Sequence, residues 1–172
     1  MKIAICGKMC SGKSYVAKYL SLKYNCKIYS FGYAVKKYCK ELFDMKYKDR
    51  ILLQTFAEKM KEINKNVWIN YIIKQIKELD NIIIDDLRFH NEQIELKKLG
   101  FIFIKLNINK KLQFERLIST YPLNYKEHLS PKQLKHKSET NIESLYSDLT
   151  ININHNNEND VLCIIDDFIK ID

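Results

Sequence analysis

The 172-residue chain is predicted to fold as one α/β domain, residues 1–172, with a five-stranded parallel sheet and helices on both faces. Short apolar runs alternate with amphipathic stretches, a pattern that implies right-handed crossovers between parallel strands. A glycine-containing motif follows the first run directly and opens the first amphipathic stretch. The length suits a single domain with its own hydrophobic core.

The predicted strands are short and rich in Ile and Phe, and amphipathic segments with a 3.6-residue period separate them. The strands cover 2–6, 27–31, 81–85, 101–107 and 149–153. The helices cover 13–24, 33–43, 48–63, 66–79, 89–99, 110–120 and 158–170. In sheets of this kind ligands bind beyond the C-terminal ends of the strands, so the chemistry is expected there.

Composition excludes several classes of function. The net charge of +8 is spread along the chain without a basic arm, so a solvated basic surface that suits nucleotides is expected, and nucleic acid is not an expected partner. No apolar run is long enough to cross a bilayer, and the first residues lack a signal-peptide pattern. Five scattered cysteines, at positions 6, 10, 26, 39 and 163, indicate reduced thiols, so the expected location is cytoplasmic.

The strongest motif is a complete Walker A sequence between the first strand and the first helix. It consists of Gly7, Lys8, Met9, Cys10, Ser11, Gly12, Lys13 and Ser14. Backbone N–H groups of such a loop and the helix N-terminus bind phosphate oxygens. Lys13 is expected to neutralise the β- and γ-phosphates, and Ser14 to supply a hydroxyl to Mg²⁺. The motif predicts ATP and Mg²⁺ as the ligands of this loop.

Acidic and guanidinium groups mark the other candidate catalytic positions. Asp86 closes a buried-type strand and is predicted to hold Mg²⁺ or its water, although a helix N-cap is the simpler role for it. The chain has only three arginines, Arg50, Arg88 and Arg116, all predicted near the C-terminal edge of the sheet. Guanidinium grips phosphate at two points, a geometry that lysine cannot reproduce, so phosphoryl transfer is the expected chemistry.

From residue 1 to roughly residue 155 the chain resembles the deoxynucleoside monophosphate kinases of tailed phages and large DNA viruses. Asp86-Leu87-Arg88-Phe89-His90-Asn91-Glu92 is similar to that family's Asp-Val-Arg-Phe-Pro-Asn-Glu. Further similar segments are Ser30–Lys36, in which Phe31 and Lys36 match but an Asp-Pro pair is missing, Lys48-Asp49-Arg50 with Leu53-Gln54, Val67-Trp68-Ile69-Asn70, and His136-Lys137-Ser138-Glu139.

The resemblance implies an adenylate-kinase-like fold with a lid at about 108–140, and transfer of the γ-phosphoryl group of ATP to a deoxynucleoside monophosphate for DNA precursor synthesis. Lys13, Asp86, Arg88 and Arg116 would be catalytic, with Arg116 reaching the transferred group. The acceptor would contact Phe31, Lys36, Arg50, Gln54, Trp68, Arg88, Glu92, Ser138 and Glu139. Asn154 lies where this fold holds adenine. A viral source would place the enzyme in the host cytoplasm.

Several alternatives stay open. Trp68 equally suits core packing, Ser138 and Glu139 a helix cap, and Asn154 a polar loop. The same scaffold serves phosphomevalonate and dephospho-coenzyme A kinases, and a nucleotide-binding module without kinase activity is a third possibility. A shikimate-type kinase is disfavoured because no Asp-x-Asp follows the second strand. The preferred base and a homodimer are left open.

Overall fold

The computed structural model describes residues 1–122, 125–128, 140–155 and 158–171. Its centre is a five-stranded sheet in the order β2-β3-β1-β4-β5, and every neighbouring pair is parallel. The strands are β1 (Lys2–Gly7), β2 (Lys27–Tyr29), β3 (Ile82–Leu87), β4 (Ile102–Ile108) and β5 (Leu149–Ile153). The predicted α/β class with a parallel sheet and helices is therefore confirmed.

Helices connect the strands in the predicted alternation. They are α1 (Lys13–Tyr24), α2 (Phe31–Phe43), α3 (Arg50–Ile63), α4 (Val67–Ile76), α5 (His90–Lys98), α6 (Lys110–Thr120), α7 (Tyr125–His128) and α8 (Glu158–Ile171). A 3₁₀ turn, Asn141–Ser144, precedes β5. No helix in the described ranges is both long and apolar enough to cross a membrane.

Two apolar layers cover the two faces of the sheet, as the Ile-rich strands require. On one face α1, α6 and α8 pack through side chains such as Leu20, Leu112 and Ile165. On the other face α2, α4 and α5 contribute residues that include Ile72 and Leu96. Burial on both faces explains why the central strands show continuous apolar runs instead of alternation.

A third apolar cluster joins α2, α3 and α4 beside the sheet. Trp68 is its largest buried member; its ring packs on Phe56 at a centroid distance of 5.7 Å, and its Nε1 donates to the carbonyl of Ala57 at 3.1 Å. A buried indole needs such a partner for its N–H group. This cluster fixes the positions of three helices around a cavity at the C-terminal edge of the sheet.

The predicted boundaries around β2, α2 and β3 differ from the structure. β2 ends at Tyr29 and α2 already begins at Phe31, while β3 continues to Leu87. Asp86 accepts hydrogen bonds from the backbone N–H groups of Phe31 and Gly32, which satisfies the first turn of α2. The longer β3 is held by pairing with β1, where Leu87 lies opposite Cys6 after an irregularity in register.

Candidate active site

The Walker A loop lies between β1 and α1 and is tightly constrained by its neighbours. A side chain at Gly7 would meet the carbonyl oxygen of Leu106 at 2.6 Å, and Gly12 has a φ of 94°, so both positions require glycine. The side chain of Lys13 is buried and donates to the carbonyls of Gly7 at 2.7 Å and Lys8 at 2.9 Å. Its ammonium group is thus held at the mouth of the loop.

A cavity of about 670 Å³ opens over this loop. Its wall combines the loop and α1 with the second half of α6 and the start of α8. The lining residues are Met9, Cys10, Gly12, Lys13, Ser14, Tyr15, Glu115, Arg116, Ser119, Thr120, Tyr121 and Glu158. Sequence reasoning missed Tyr15, Glu115, Tyr121 and Glu158, since no local motif marks them.

Helix α6 is attached to the loop by two side chains one turn apart. Arg116 donates from Nη1 to the carbonyl of Cys10 at 3.5 Å, and Gln113 donates from Nε2 to the carbonyl of Met9 at 2.9 Å. Residues three apart share one face of a helix, so the spacing from Arg116 was the available signal for Gln113. The guanidinium of Arg116 therefore lies beside the phosphate-binding loop.

Asn154 does not line the cavity over the loop. It is exposed immediately after β5, whereas the described cavity is bounded by α1, α6 and the first residue of α8. The prediction that Asn154 contacts ATP therefore has no support from the lining of this cavity. The alternative, a polar loop, agrees with the exposure of Asn154.

The strand-end carboxylates divide between two sites, because successive residues of a strand point to opposite faces. Asp85 faces the Walker A loop, where Ser14 Oγ donates to its Oδ2 at 3.4 Å. Burial raises the pKa of Asp85, and the neighbouring Asp86 raises it further, while Lys36, Ser14 and Lys13 oppose this. Two oxygen ligands at the loop suit a magnesium ion and its waters.

The described partners of Asp86 are backbone groups at the start of α2. Its Oδ1 accepts from the N–H of Phe31 at 2.8 Å and its Oδ2 from the N–H of Gly32 at 2.9 Å. Asp86 is thus engaged at the start of α2, whereas Asp85 contacts the loop hydroxyl. The assignment of Asp86 to Mg²⁺ or its water stays a prediction, and Asp85 is the carboxylate that the structure places in contact with the loop hydroxyl. The N-cap alternative is wrong for α5, because the helix whose backbone N–H groups Asp86 satisfies is α2.

A second cavity, of about 250 Å³, lies on the Asp86 side. It contains every predicted acceptor residue whose side chain is described. Its lining residues are Phe31, Gly32, Val35, Lys36, Leu53, Gln54, Ala57, Glu58, Lys61, Trp68, Asp86, Arg88, Phe89 and Glu92. Most of the wall is apolar or aromatic, with cationic groups on α2, α3 and the β3–α5 connection. Glu58 and Lys61 were not predicted, although they lie on the same face of α3 as Gln54.

Glu92 is buried at the base of this second cavity, with 7% of its surface exposed. Its Oε2 accepts from the backbone N–H groups of Arg88 at 2.9 Å and Phe89 at 3.0 Å, which closes the first turn of α5. Burial raises the pKa of this carboxyl from 4.5 to about 8, against the two N–H groups, which lower it. The carboxyl group of Glu92 therefore lies next to Arg88, the arginine predicted to contact the acceptor.

The segment that leads into β5 is attached to the same edge of the sheet. Lys8 forms an ion pair with Glu143 at 2.6 Å, which lowers the pKa of that carboxyl, and His90 is 2.9 Å from the hydroxyl of Ser144. The described contact of the Lys8 side chain is thus with the 3₁₀ turn. The sequence offered no signal for this contact between residues 135 positions apart.

Some predicted residues lie outside the description. These are the side chain of Arg50, which begins α3, together with Ser138, Glu139 and much of the predicted lid. Within the lid range 108–140 the structure describes α6 and α7.

Comparisons with solved structures agree with the architecture. Shikimate kinase from Aquifex aeolicus has a TM-score of 0.59 at 18% identity, covering 99% of this chain and 96% of that chain. The protein TT1252 from Thermus thermophilus has a TM-score of 0.63 at 13% identity, covering 100% and 98%. Deoxyadenosine kinase from M. mycoides with bound dATP has a TM-score of 0.57 at 21% identity, covering 99% and 100%. At these identities the likeness establishes the fold, which is that of P-loop kinases.

Comparison with curated proteins gave no match. A family model described as an AAA domain matches residues 3–121, well over half of the chain, and this range contains the Walker A loop, both strand-end carboxylates and α6. The chain therefore belongs to the AAA domain family and has the P-loop kinase fold.

Proposed function

We propose that the protein transfers the γ-phosphoryl group of ATP, in the presence of Mg²⁺, to a deoxynucleoside monophosphate. The observation that carries this proposal is the pair Asp85 and Asp86. Asp85 contacts the Walker A hydroxyl, and Asp86 lines the second cavity. A nucleotide at the loop and an acceptor in the cavity would be brought together at this pair, as transfer between two substrates requires.

Donor binding rests on the cationic groups of the loop. Lys13 and Arg116 both line the larger cavity, and phosphoryl transfer depends mainly on positioning and on neutralising charge. Ser14 and Asp85 would hold Mg²⁺, which when bound supplies charge neutralisation at the phosphates. Lys13 would exchange its bonds to loop carbonyls for phosphate oxygens, and Arg116 would bind the group in transfer.

The acceptor cavity has the chemistry that a nucleotide needs. Lys36 and Arg88 provide positive charge for a phosphate, and Gln54 provides an amide for a base edge. Phe31 and Trp68 contribute aromatic wall, on which a planar base packs favourably. A volume of about 250 Å³ lies just below the usual range of about 300–1,000 Å³ for small-molecule sites.

A coupled assay with ATP and Mg²⁺ and each of the four deoxynucleoside monophosphates tests the proposal. Phosphorylation of at least one of them, lost in the Lys13→Ala variant, is the expected result. The panel includes phosphomevalonate, dephospho-coenzyme A, shikimate and deoxyadenosine. Phosphorylation of one of these and of no deoxynucleoside monophosphate would identify that compound as the acceptor instead. Nucleotide binding without turnover of any acceptor would leave a non-catalytic binding module.

A further inference from the structure

Two ion pairs on the described part of α3 have different surroundings. In the surface pair, Lys59 Nζ is 2.9 Å from Glu62 Oε1, and the two side chains are 68% and 63% exposed. In the cavity pair, Lys61 Nζ is 3.1 Å from Glu58 Oε1, and the lysine side chain is only 28% exposed. Both members of the cavity pair line the second cavity, whereas the described lining residues include neither member of the surface pair. The cavity pair is therefore more than a solvated pair along a helix.

The cavity pair is held in place by a contact with another element. The ammonium group of Lys61 lies 4.6 Å from the centroid of the Phe89 ring, which belongs to the β3–α5 connection. A cation over an aromatic face at this distance is attracted to it. The pair thus spans the cavity wall from α3 to this connection.

A different cation lies towards the Walker A loop. Burial and the carboxylate of Asp86 raise the pKa of Asp85, and Lys36 on α2 lowers it, so the charge of Lys36 acts at the carboxylate that contacts the loop. An acceptor phosphate has to lie near the loop for transfer. A phosphate bound at Lys36 leaves the α3 wall, which carries the cavity pair, for the base.

Most other polar groups of the second cavity are engaged by the protein itself. Trp68 donates its Nε1–H to the carbonyl of Ala57, so its ring offers only an apolar surface. The two oxygens of Asp86 accept backbone N–H groups of α2, and Glu92 accepts those that precede α5. Polar side chains that could bind the edge of a base follow one another on one face of α3, and these are Gln54, Glu58 and Lys61.

The chemistry of the cavity pair matches one base better than the others. A carboxylate only accepts hydrogen bonds, and an ammonium group only donates them. Guanine places a ring N–H and an amino group side by side on its Watson–Crick edge, with a carbonyl oxygen next to them. Adenine, cytosine and thymine each offer a single N–H-bearing group on that edge. Two adjacent donors for the carboxylate and one acceptor for the ammonium group are therefore found only in guanine.

We propose that the cavity pair selects guanine as the base of the acceptor, which makes dGMP the preferred deoxynucleoside monophosphate. The Glu58 carboxylate accepts from the ring N–H and the amino group, and the Lys61 ammonium donates to the carbonyl oxygen. This inference rests on the proposed function. A carboxylate has about four lone-pair positions, so Glu58 can keep its bond to Lys61. The Glu58 side chain is 59% exposed, so this edge of the base lies at the mouth of the cavity.

The first test changes only the ligand. We expect the full-length wild type to show its highest kcat/KM with dGMP when dGMP, dAMP, dCMP, dTMP and deoxyinosine monophosphate (dIMP) are compared. The last compound lacks only the amino group of guanine, so one hydrogen bond to the carboxylate is lost. Its kcat/KM should be about tenfold below that of dGMP, the lower end of the effect for a hydrogen bond to a charged group.

Glu58→Gln is the matched variant, because it keeps the size of the side chain and replaces one oxygen acceptor by an N–H donor. Its kcat/KM for dGMP should fall about tenfold, and the ratio of dGMP to dIMP should approach one, which is the coupling expected of a direct contact. The value for dAMP should not fall, since an amide can pair with the donor and acceptor of adenine. Glu62→Gln, in the surface pair, should leave all five values at wild-type level.

The outcomes are distinct. Equal use of dGMP and dIMP by the wild type, or a preference for another base, would overturn the inference and leave the proposed function standing. A uniform fall for all five acceptors in Glu58→Gln would show a structural role and would overturn it as well. Thermal midpoints report whether the variants fold, and the comparison of dGMP with dIMP needs no variant. Phosphorylation of none of these acceptors would count against the proposed function and the inference together.

Discussion

Lys13 is the one lysine that is buried in the described part of the chain. A buried ammonium is costly unless hydrogen bonds satisfy it, and the carbonyls of Gly7 and Lys8 provide them at 2.7 and 2.9 Å. These carbonyls belong to the phosphate-binding loop itself. The positive charge is thus stored where phosphate oxygens are expected, and little rearrangement of the loop is needed to use it.

Lys13→Ala is expected to remove phosphoryl transfer and leave the fold intact. The side chain borders a solvent-filled cavity, so its loss opens no cavity in the core, but the β- and γ-phosphates lose their point charge. Turnover should fall by at least about 10²-fold, the cost of removing one preorganised charge donor. Circular dichroism and steady-state rates measure the two effects, with Lys18→Ala on the exposed face of α1 as the control. Turnover within a few-fold of wild type would remove Lys13 from the mechanism.

Asp85→Asn and Asp86→Asn should separate the two neighbouring carboxylates. Asp85 contacts Ser14, so its amide variant should need about 10- to 100-fold more Mg²⁺ for half-maximal rate. In Asp86→Asn an amide group faces one backbone N–H of α2, which should reduce the unfolding free energy by about 1–3 kcal/mol. Magnesium titration of the rate and denaturant unfolding give the two readouts. A larger magnesium effect in Asp86→Asn than in Asp85→Asn would support the sequence-based assignment of Asp86 instead.

Helices α2 and α6 are positioned by bonds between side chains and backbone. Asp86 satisfies the N-terminus of α2, which places Phe31 and Lys36 on the second cavity. Gln113 and Arg116 attach α6 to the carbonyls of Met9 and Cys10, which places α6 over the loop. In the proposed reaction each helix would therefore contact a different substrate, and its arginine or lysine should affect a different kinetic constant.

Arg116→Lys should mainly lower kcat, and Arg88→Lys should mainly raise the acceptor KM. Arg116 lies at the phosphate-binding loop, and its loss should cost up to ~10³-fold if it acts only in the transition state. Arg88 lines the second cavity, and a lysine in its place would keep the charge but could not bind a phosphate at two points. The sequence predicts the same KM effect for Arg50→Lys. Steady-state kinetics with each substrate varied separately test this, with exposed Lys111→Ala as the control for α6.

The assignment of Arg116 to kcat, and of Arg88 and Arg50 to the acceptor KM, would be wrong if Arg116→Lys changed only the acceptor KM. It would also be wrong if Arg88→Lys and Arg50→Lys both left that constant at its wild-type value.

Helices α1 and α8 are joined by hydrogen bonds on one face of the sheet. Asp166 on α8 is buried and accepts hydrogen bonds from Tyr19, Lys23 and Tyr24 on α1. Burial raises the pKa of Asp166, but the three donors outweigh it, so the pKa lies below its ordinary value of 3.8. The helix that follows the phosphate-binding loop is therefore coupled to the last helix of the described chain.

Asp166→Asn is expected to lower the unfolding free energy at neutral pH by about 1–3 kcal/mol, because charge-assisted hydrogen bonds are lost. A folded-state pKa below the unfolded value means that this stability is present above pH 3.8 and is lost as pH falls further. The difference between variant and wild type should hence shrink in acid. Denaturant unfolding at several pH values measures it. The neighbouring exposed Asp167→Asn, which loses only a surface pair with Lys170, should change little.

Local chemistry explains what could be predicted. The alternation of apolar runs and amphipathic stretches predicts the strands and helices. The Walker A motif also predicts its own loop conformation, because close contact requires glycine at position 7 and a positive φ favours it at position 12. The helical spacing of Leu53, Ala57 and Met60 likewise places α3 in the third apolar cluster. Predicted acceptor positions such as Gln54 and Trp68 come together in one cavity because they belong to motifs at the same edge of the sheet.

The parallel α/β architecture, the phosphate-binding loop and the edge of the sheet at which ligands are expected could all be predicted, because they follow from short-range periodicity and backbone sterics. Tertiary packing, by contrast, is what sets Asp85 against Ser14 and Asp86 against the first turn of α2. Packing likewise places Glu92 on the wall of the second cavity. The contacts of each carboxylate depend on which distant backbone groups pack against it. No local sequence pattern encodes those partners.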